Sequence, residues 1–253
     1  MQISETMVRA EQEYPEVADA HCHLNLFEEP EKVIKEAIEH NVVFMITAGG
    51  SNKDNLGALG MSSFDNVFAV VGIDPSFAVN EFNQIAELEH MLRVSNKVVG
   101  IGEIGLDKKI AKNAKEYEIQ KKAFLMQIEL AKNMEVPIVV HARNAIEDVL
   151  DILEKNKVER AMLHFFEGSV GDATRAERLG YLISVPPLDS KKRERAIKTV
   201  GIQSIVTETD APVAGLKPVD VVKSVDIIAK AKNMTFAEAA FAATENIRKF
   251  FYI

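Results

Sequence analysis

Apolar runs and helical segments alternate along most of the chain. The apolar runs are short and have no polar face, which is typical of parallel strands covered by helices on both sides. Between these runs, apolar residues recur at helical spacing and the connections are short. The predicted strands are 17–24, 42–48, 67–72, 98–103, 137–141, 161–165, 181–185 and 204–208, and the predicted helices are 31–40, 52–62, 81–94, 116–134, 145–156, 170–179, 189–199, 217–232 and 235–250.

This alternation amounts to about eight strand–helix units in a chain of 253 residues. A TIM (β/α)8 barrel has this composition and about this length, so the pattern predicts an α/β barrel. A doubly wound open sheet would show a similar pattern, but no glycine-rich dinucleotide fingerprint follows the first strand. We predict one barrel domain over residues 17–253, preceded by a polar extension, 1–16, that is either a tail or a short helix.

Composition and charge narrow the function classes. The net charge of −8 argues against a protein that coats nucleic acid, although metal ions could still supply local positive charge for phosphodiester chemistry. Cys22 is the only cysteine, which excludes an intramolecular disulfide and a thiolate zinc site. No signal-peptide pattern and no apolar run of about 18 residues occurs. These features predict a cytoplasmic protein with no membrane association and no stable protein partner.

Histidines and carboxylates fall at the carboxyl ends of the predicted strands. Side-chain alternation puts Asp19, His21 and His23 on one strand face, where two imidazoles can converge on a metal ion. This pair alone does not distinguish a chelate from two ordinary histidines, but the later strands add nitrogen and oxygen ligands on the catalytic face of a barrel. We therefore predict a binuclear hydrolase site with a bridging carboxylate, built from His21, His23, Glu103, His141, His164 and Asp210.

Several segments resemble, in order and spacing, the signature segments of TatD-type metal-dependent deoxyribonucleases. The resemblance runs from about residue 17 to the C-terminus, and it implies a TIM barrel of the amidohydrolase superfamily that holds two divalent ions. The segments are Asp19-Ala20-His21-Cys22-His23-Leu24, Gly102-Glu103-Ile104-Gly105-Leu106-Asp107, Pro137-Ile138-Val139-Val140-His141-Ala142-Arg143, Leu163-His164-Phe165-Phe166 and Glu208-Thr209-Asp210-Ala211-Pro212, with Gln120, Phe124 and Gln127 on a helix.

The resemblance also implies a role for each residue. His21, His23 and Asp210 would bind the first ion, His141 and His164 would bind the second, and Glu103 would bridge them. The implied reaction is cleavage of DNA or another phosphodiester by a hydroxide activated at the binuclear centre, with Asp210 and Glu103 as the catalytic carboxylates. The ions would be zinc, manganese, magnesium or cobalt. We predict that Glu208 and Asp19 support these metal ligands.

Some positions depart from the family pattern. Asp74 stands where the family usually has a histidine, and its charge would repel a phosphodiester. Lys108 and Lys109 replace common tyrosines. Arg143 is predicted to contact a substrate phosphate, with a salt bridge among the loops as the alternative. Because the loops differ, hydrolysis of an amide, ester or lactone remains open, and so does a metal-binding barrel without catalysis.

A basic run follows the seventh predicted strand. Lys191, Lys192, Arg193 and Arg195 could hold a nucleic-acid backbone, but charge runs on surface helices are usually solvated, and we favour that interpretation.

Overall fold

Eight parallel strands form one sheet whose spatial order is the order of the chain. In the computed structural model, which describes residues 15–81 and 84–253, every strand pairs in parallel with the next one along the chain. The strands are β1 (Val17–Cys22), β2 (Val42–Ala48), β3 (Val67–Val71), β4 (Val98–Asp107), β5 (Ile138–Arg143), β6 (Ala161–Leu163), β7 (Leu182–Val185) and β8 (Ile205–Thr207).

Helices connect the carboxyl end of each strand to the next. None of the helices in the described ranges is long and apolar enough to cross a membrane. Short 3-10 turns cover Leu24–Leu26, Ile202–Ser204, Val213–Gly215 and Pro218–Asp220. The α-helices are α1 (Pro30–Glu39), α2 (Asn52–Met61), α3 (Ala78–Glu81), α4 (Ile85–Val94), α5 (Ala114–Asn133), α6 (Ile146–Lys155), α7 (Val170–Arg178), α8 (Lys191–Thr199), α9 (Val221–Lys232) and α10 (Phe236–Phe251).

Hydrogen bonds between the first and last strands bring the sheet round into a nearly closed barrel. Thr207 Oγ1 donates to the carbonyl of Ala18 at 2.7 Å. The amide of Asp210 donates to the carbonyl of His21 at 2.9 Å. The predicted TIM barrel is therefore confirmed, and the carboxyl ends of all eight strands share one face.

Two apolar layers stabilise this arrangement. The outer layer lies between strands and helices, and the inner layer is made by small and medium side chains that fill the barrel. Within the inner layer, strand residues pack against Ile247, Phe250 and Phe251 of α10. The strand residues of the inner layer include Ala18, Ala20, Phe44, Ile46, Ala48, Val70, Val139, Met162, Leu182 and Val206.

The boundaries of several elements differ from the sequence prediction. β4 continues past 103 to Asp107, because the residues from Ile104 to Asp107 still pair with β5, with Ile104 opposite Val140 and Asp107 opposite Arg143. The predicted helix 217–232 begins with a 3-10 turn, and its α-helical part starts at Val221. The predicted helix 81–94 corresponds to α4 with the end of α3, and residues 82–83 lie outside the described residues. Of the predicted extension, 1–14 lie outside them as well.

Candidate metal centre

Six side chains converge at the carboxyl ends of five strands. His21 lies in β1 and His23 directly after it, while Asp210 follows β8 and completes what we call the first group. His141 lies in β5 and His164 directly after β6, and these two form the second group. Glu103 of β4 lies between the two groups. The structure thus brings together all six residues that the sequence singled out as metal ligands.

The first group is compact and mostly buried. The Nε2 atoms of His21 and His23 lie 3.3 Å apart. Asp210 Oδ1 lies 3.5 Å from His21 Nε2 and 3.3 Å from His23 Nε2. The three ligand atoms therefore face one small volume, with His21 fully buried beneath it.

Backbone groups hold the first group in place. The carbonyl of His21 accepts the amide of Asp210, and the amide of His23 donates to the carbonyl of Ala211 at 2.7 Å. His23 Nδ1 lies 3.1 Å from the carbonyl oxygen of Ala48. Asp210 has a left-handed backbone conformation (φ 56°), and the hydrogen bond from its amide to His21 stabilises this conformation. The closure of the barrel between β1 and β8 thus orients the first group.

Glu103 joins the two groups. Its Oε1 lies 2.7 Å from His141 Nδ1 and 2.8 Å from His164 Nε2, and these two nitrogens are 3.3 Å apart. Its Oε2 lies 3.5 Å from His21 Nε2 and 3.6 Å from His23 Nε2. Each carboxylate oxygen therefore faces a different pair of histidines.

Carboxylate side chains orient the second group. Asp107 Oδ2 lies 3.1 Å from His141 Nε2, so a hydrogen bond there leaves Nδ1 free to face Glu103. Glu208 Oε2 lies 3.7 Å from His164 Nδ1, and its Oε1 accepts the amide of Phe165 at 2.5 Å. Asp107 was not predicted from the sequence as a partner of His141. It lies four residues after Glu103 on the same strand, at an alternating position that faces the site.

Opposite charges shift the titration of these groups. Burial lowers the pKa of His141, but Asp107 and Glu103 outweigh burial and raise that pKa to about 9. Burial opposes charge at His23 too, where Asp210 and Glu103 raise the pKa to about 9. Burial would raise the pKa of Glu103, yet the facing imidazoles hold it well below its usual range. In the metal-free cluster the raised pKa values of His23 and His141 thus favour protonated imidazoles beside an ionised Glu103.

The donor geometry fits divalent metal ions. Two nitrogens bound at about 2.1 Å to one ion, at angles of 90–110°, lie about 3.0–3.4 Å apart, and both histidine pairs have this spacing. His21 Nδ1 and His164 Nδ1 are buried without a hydrogen-bond partner among the residues that the structure describes, as is Glu208 Oε2. Imidazole and carboxylate ligands without thiolate suit zinc, manganese or cobalt.

Asp19 lies beside the centre but supports the backbone. Its Oδ1 accepts the amides of His21 at 3.2 Å and Thr209 at 2.9 Å, and its Oδ2 accepts the hydroxyl of Thr209 at 2.5 Å. Burial raises the pKa of this carboxyl well above its usual value. The pairing of β1 with β2 is irregular between Asp19 and Cys22, so the simple alternation assumed from sequence is interrupted there. The carboxyl fastens β1 to β8.

Asp74 and Arg143 lie at the rim. Asp74 is half-buried and its Oδ1 accepts the amide of Ser76 at 2.7 Å. Burial raises the pKa of Asp74, and the charge of Glu103 adds to that rise. Arg143 is exposed, with Nη1 3.9 Å from Asp107 Oδ2. This long ion pair leaves most of the guanidinium accessible.

The prediction that the basic run after β7 is solvated is wrong for Arg193. Arg193 is buried, and its guanidinium donates to the carbonyls of Phe166 and Leu188, each at 2.8 Å. The bond to Phe166 ties α8 to the loop that follows His164, and the bond to Leu188 joins α8 to the loop that precedes it. Lys191, Lys192 and Arg195 are exposed as expected.

Buried amides on α2 and α5 support the same face. Gln127 accepts the amide of Ile73 and donates to its carbonyl, at 2.7 and 3.1 Å. Asn55 makes the equivalent pair of bonds to Gly72, at 2.9 and 2.8 Å. Gln120 accepts the amide of Asp107 at 3.0 Å. These contacts fix the backbone on either side of Glu103.

A parallel barrel with convergent imidazoles and carboxylates at the carboxyl ends of its strands defines a metal-dependent hydrolase of the TIM-barrel class. The family model "TatD related DNase" matches residues 18–252. The chain belongs to the TatD family, as its sequence motifs predicted.

Individual relatives agree with this assignment. The chain is 32% identical to the uncharacterized metal-dependent hydrolase YabD of Bacillus subtilis, over 93% of this chain and 98% of that protein. It is 27% identical to deoxyribonuclease TATDN3 of Homo sapiens, over 93% and 94% of the two chains. The crystal structure of the TatD homologue YjjV of Escherichia coli superimposes with a TM-score of 0.86 at 23% identity, over 94% and 98%. That structure shares the fold.

Proposed function

We propose that residues 17–253 act as one domain that hydrolyses phosphodiester bonds in DNA with two divalent ions. In this proposal His21, His23 and Asp210 hold the first ion, His141 and His164 hold the second, and Glu103 contacts both. The observation that carries the proposal is the position of Glu103, whose two oxygens each face a separate pair of histidines.

Divalent ions, when bound, lower the pKa of water towards neutrality and neutralise charge on a phosphate. The chain's own residues supply position and proton transfer. The pKa of Asp210 lies below its usual range, since the imidazoles of His21 and His23 outweigh burial, so this carboxylate is ionised at neutral pH. It orients the attacking water and accepts its proton. Arg143 contacts a phosphate of the substrate from the rim.

Family membership and chemistry support different parts of this proposal. The ligand set supports metal-dependent hydrolysis, and the name of the human relative supports DNA as the substrate. The identity of the ions is proposed as zinc, manganese or cobalt, with magnesium at the more oxygen-rich position.

The test combines metal analysis with a nuclease assay. Purified protein is stripped, reloaded with each ion in turn and assayed on single-stranded and double-stranded DNA. We expect about two ions per chain and metal-dependent cleavage. Asp210→Asn should keep the fold, as judged by circular dichroism, and lose cleavage. One ion per chain, or cleavage that survives both chelation and Asp210→Asn, would contradict the proposal.

One observation favours a second candidate, hydrolysis of a neutral ester, amide or lactone. Asp74 is a half-buried carboxyl near Glu103 and His141, and its charge opposes a phosphate there. The same metal-loaded preparations should therefore be assayed on lactones and aryl esters. Turnover of these substrates without cleavage of DNA would select this alternative.

A further inference from the structure

A cavity of about 480 Å³ opens on one side of the metal centre. Its walls come from the loops after β5, β6, β7 and β8, and it reaches His141, His164 and Asp210. No residue of the loops after β1, β2 or β3 lines it. The cavity therefore lies against both residues of the second group and reaches only Asp210 of the first.

The cavity walls combine two cations with an aromatic ring. Arg143 and Lys192 both line it, and both are exposed. Among the described residues, no carboxylate lies within ion-pair distance of Lys192. The half-buried ring of Phe165 forms an apolar wall, and the guanidinium of Arg193 lies 5.3 Å from the centre of that ring.

Hydrogen bonds fix the backbone at Phe165, whose side chain lines the cavity. Phe165 has a left-handed backbone (φ 45°), which bulky side chains rarely adopt. Its amide donates to both Ser184 Oγ at 2.8 Å and Glu208 Oε1 at 2.5 Å, and these bonds maintain that backbone. A strained residue that presents an aromatic face to a cavity beside a reaction centre indicates a binding role.

The charged residues at the rim of the barrel also differ between the side of β1–β3 and the side of β4–β7. The loops 23–29, 49–51 and 72–77 contain Glu28, Glu29 and Asp74 and no lysine or arginine. By contrast, the loop 108–113 after β4 contains three lysines and no acid, and Arg143 at the end of β5 and Lys192 in α8 add two cations. These five cations outnumber Glu167 and Asp189, which lie on the loops after β6 and β7. A polyanion is therefore repelled from the side of β1–β3 and attracted to the side of β4–β7.

From these features we infer that the cavity binds the nucleotide next to the scissile bond, with its flanking phosphate between Arg143 and Lys192. The unpaired base lies against the ring of Phe165, and the strand continues over the β4–β7 side of the rim. This inference rests on the proposed nuclease function and adds Lys192 and Phe165 to the residues proposed to contact the substrate. Stacking of bases on aromatic rings and phosphate contacts to cations are the general means by which single strands are bound.

Two matched variants test the cation site. Lys192 and Lys191 are neighbours in the first turn of α8, both are exposed, and only Lys192 lines the cavity. For Lys192→Gln we expect KM for a single-stranded oligonucleotide to rise roughly tenfold, with the salt dependence of binding reduced by about 0.7 in log–log slope. Lys191→Gln should leave both values unchanged. Equal effects of the two variants, or no effect of either, would overturn the inference.

A small substrate separates failure of this inference from failure of the proposed function. Bis(p-nitrophenyl) phosphate carries a phosphodiester but no flanking phosphate, so Lys192→Gln should affect its KM less than that of the oligonucleotide. If wild-type protein cleaves neither substrate, the proposed function fails and the inference fails with it. If it cleaves both, and Lys192→Gln alters both equally, only the inference fails.

A third variant tests the aromatic wall. Phe165→Leu keeps an apolar side chain but removes the ring. Wild-type protein should bind an oligonucleotide with a purine in the cavity roughly fivefold more tightly than one with a pyrimidine, because the purine offers a larger stacking face. The variant should lose this preference while retaining its fold and metal content. A preference that persists in Phe165→Leu would exclude stacking on this ring.

Discussion

The two groups of the metal centre are oriented by different means. Backbone hydrogen bonds across the β1–β8 closure hold the first group, and its His21 is fully buried. Side-chain carboxylates of Asp107 and Glu208 lie against the second group, which borders the cavity. A position held by the backbone changes only if the barrel changes. A position held by side chains can be tuned by single substitutions without altering the fold.

Glu103→Gln should have the largest effect, because each carboxylate oxygen of Glu103 faces a different group. We expect loss of metal from both groups and a decrease in kcat of roughly 10³-fold. Metal analysis and single-turnover rates measure the two effects. Asp210→Asn is the comparison variant, and it should deplete the first group alone. Retention of two ions by Glu103→Gln would contradict the bridging role.

Acidification should weaken metal binding strongly in both groups. His23 and His141 have pKa values of about 9 in the metal-free protein, and each must lose its proton before it can bind metal. Between pH 9 and pH 7 the affinity of each group should therefore fall roughly 100-fold, about tenfold per pH unit. Calorimetry in buffers of different ionisation enthalpy measures the protons released. If metal binding releases no protons at pH 7, the predicted coupling between protonation and metal binding is wrong.

The same shifts predict how the metal-free fold depends on pH. A histidine whose pKa is raised on folding stabilises the fold fully below its unfolded pKa of about 6.5, and this stability is lost as pH rises through the folded pKa. The metal-free protein should therefore become less stable between pH 6.5 and about 9. Urea unfolding across this range measures the change.

Asp107→Asn should separate the two groups. Loss of the charged partner of His141 should weaken metal binding in the second group by roughly tenfold, and binding in the first group should not change. Titration with a chromophoric metal competitor resolves the two affinities. Asp148→Asn serves as a matched control, because Asp148 pairs with Lys108 and Tyr117 outside the centre. Equal weakening of both groups would show that Asp107 acts on the fold as a whole.

Asp19→Ala should produce the smallest effect of this series. It removes the carboxylate that accepts from His21 and Thr209, but it also relieves the burial that raises the pKa of Asp19. We expect a net loss of about 1–2 kcal/mol in the free energy of unfolding. Urea denaturation measures it, and Asp19→Asn, which keeps an acceptor, should lose less. A loss of more than about 5 kcal/mol in the free energy of unfolding would mean that the contacts of Asp19 are the main interaction that closes the barrel.

Periodicity was sufficient to predict the barrel, because parallel strands between helices leave a strong apolar signal. It placed the end of β4 too early, since Gly105 and Asp107 are small or polar although they remain paired with β5. The same bias explains why Asp107 was missed as a partner of His141.

Local sequence also says little about burial of a charge. Arg193 lies in a run of cations that a surface helix would expose, yet it is buried and donates to the carbonyls of Leu188, five residues earlier, and of Phe166. Only the folded arrangement of α8 against the β6–α7 loop supplies the carbonyl of Phe166. Contacts of this kind depend on loop conformations, which carry no periodic signal.

The closure between β1 and β8 also sets the order in which the centre can form. Asp19 and Thr209, which join the ends of the barrel, are 190 residues apart in the chain, whereas Glu103 and His141 are 38 apart. Closing the longer loop costs about 1.4 kcal/mol more entropy than closing the shorter one. During synthesis on the ribosome the second group can therefore assemble while Asp210 is still untranslated. The first group must wait for nearly the whole chain, so metal loading of the first group would report completion of the barrel.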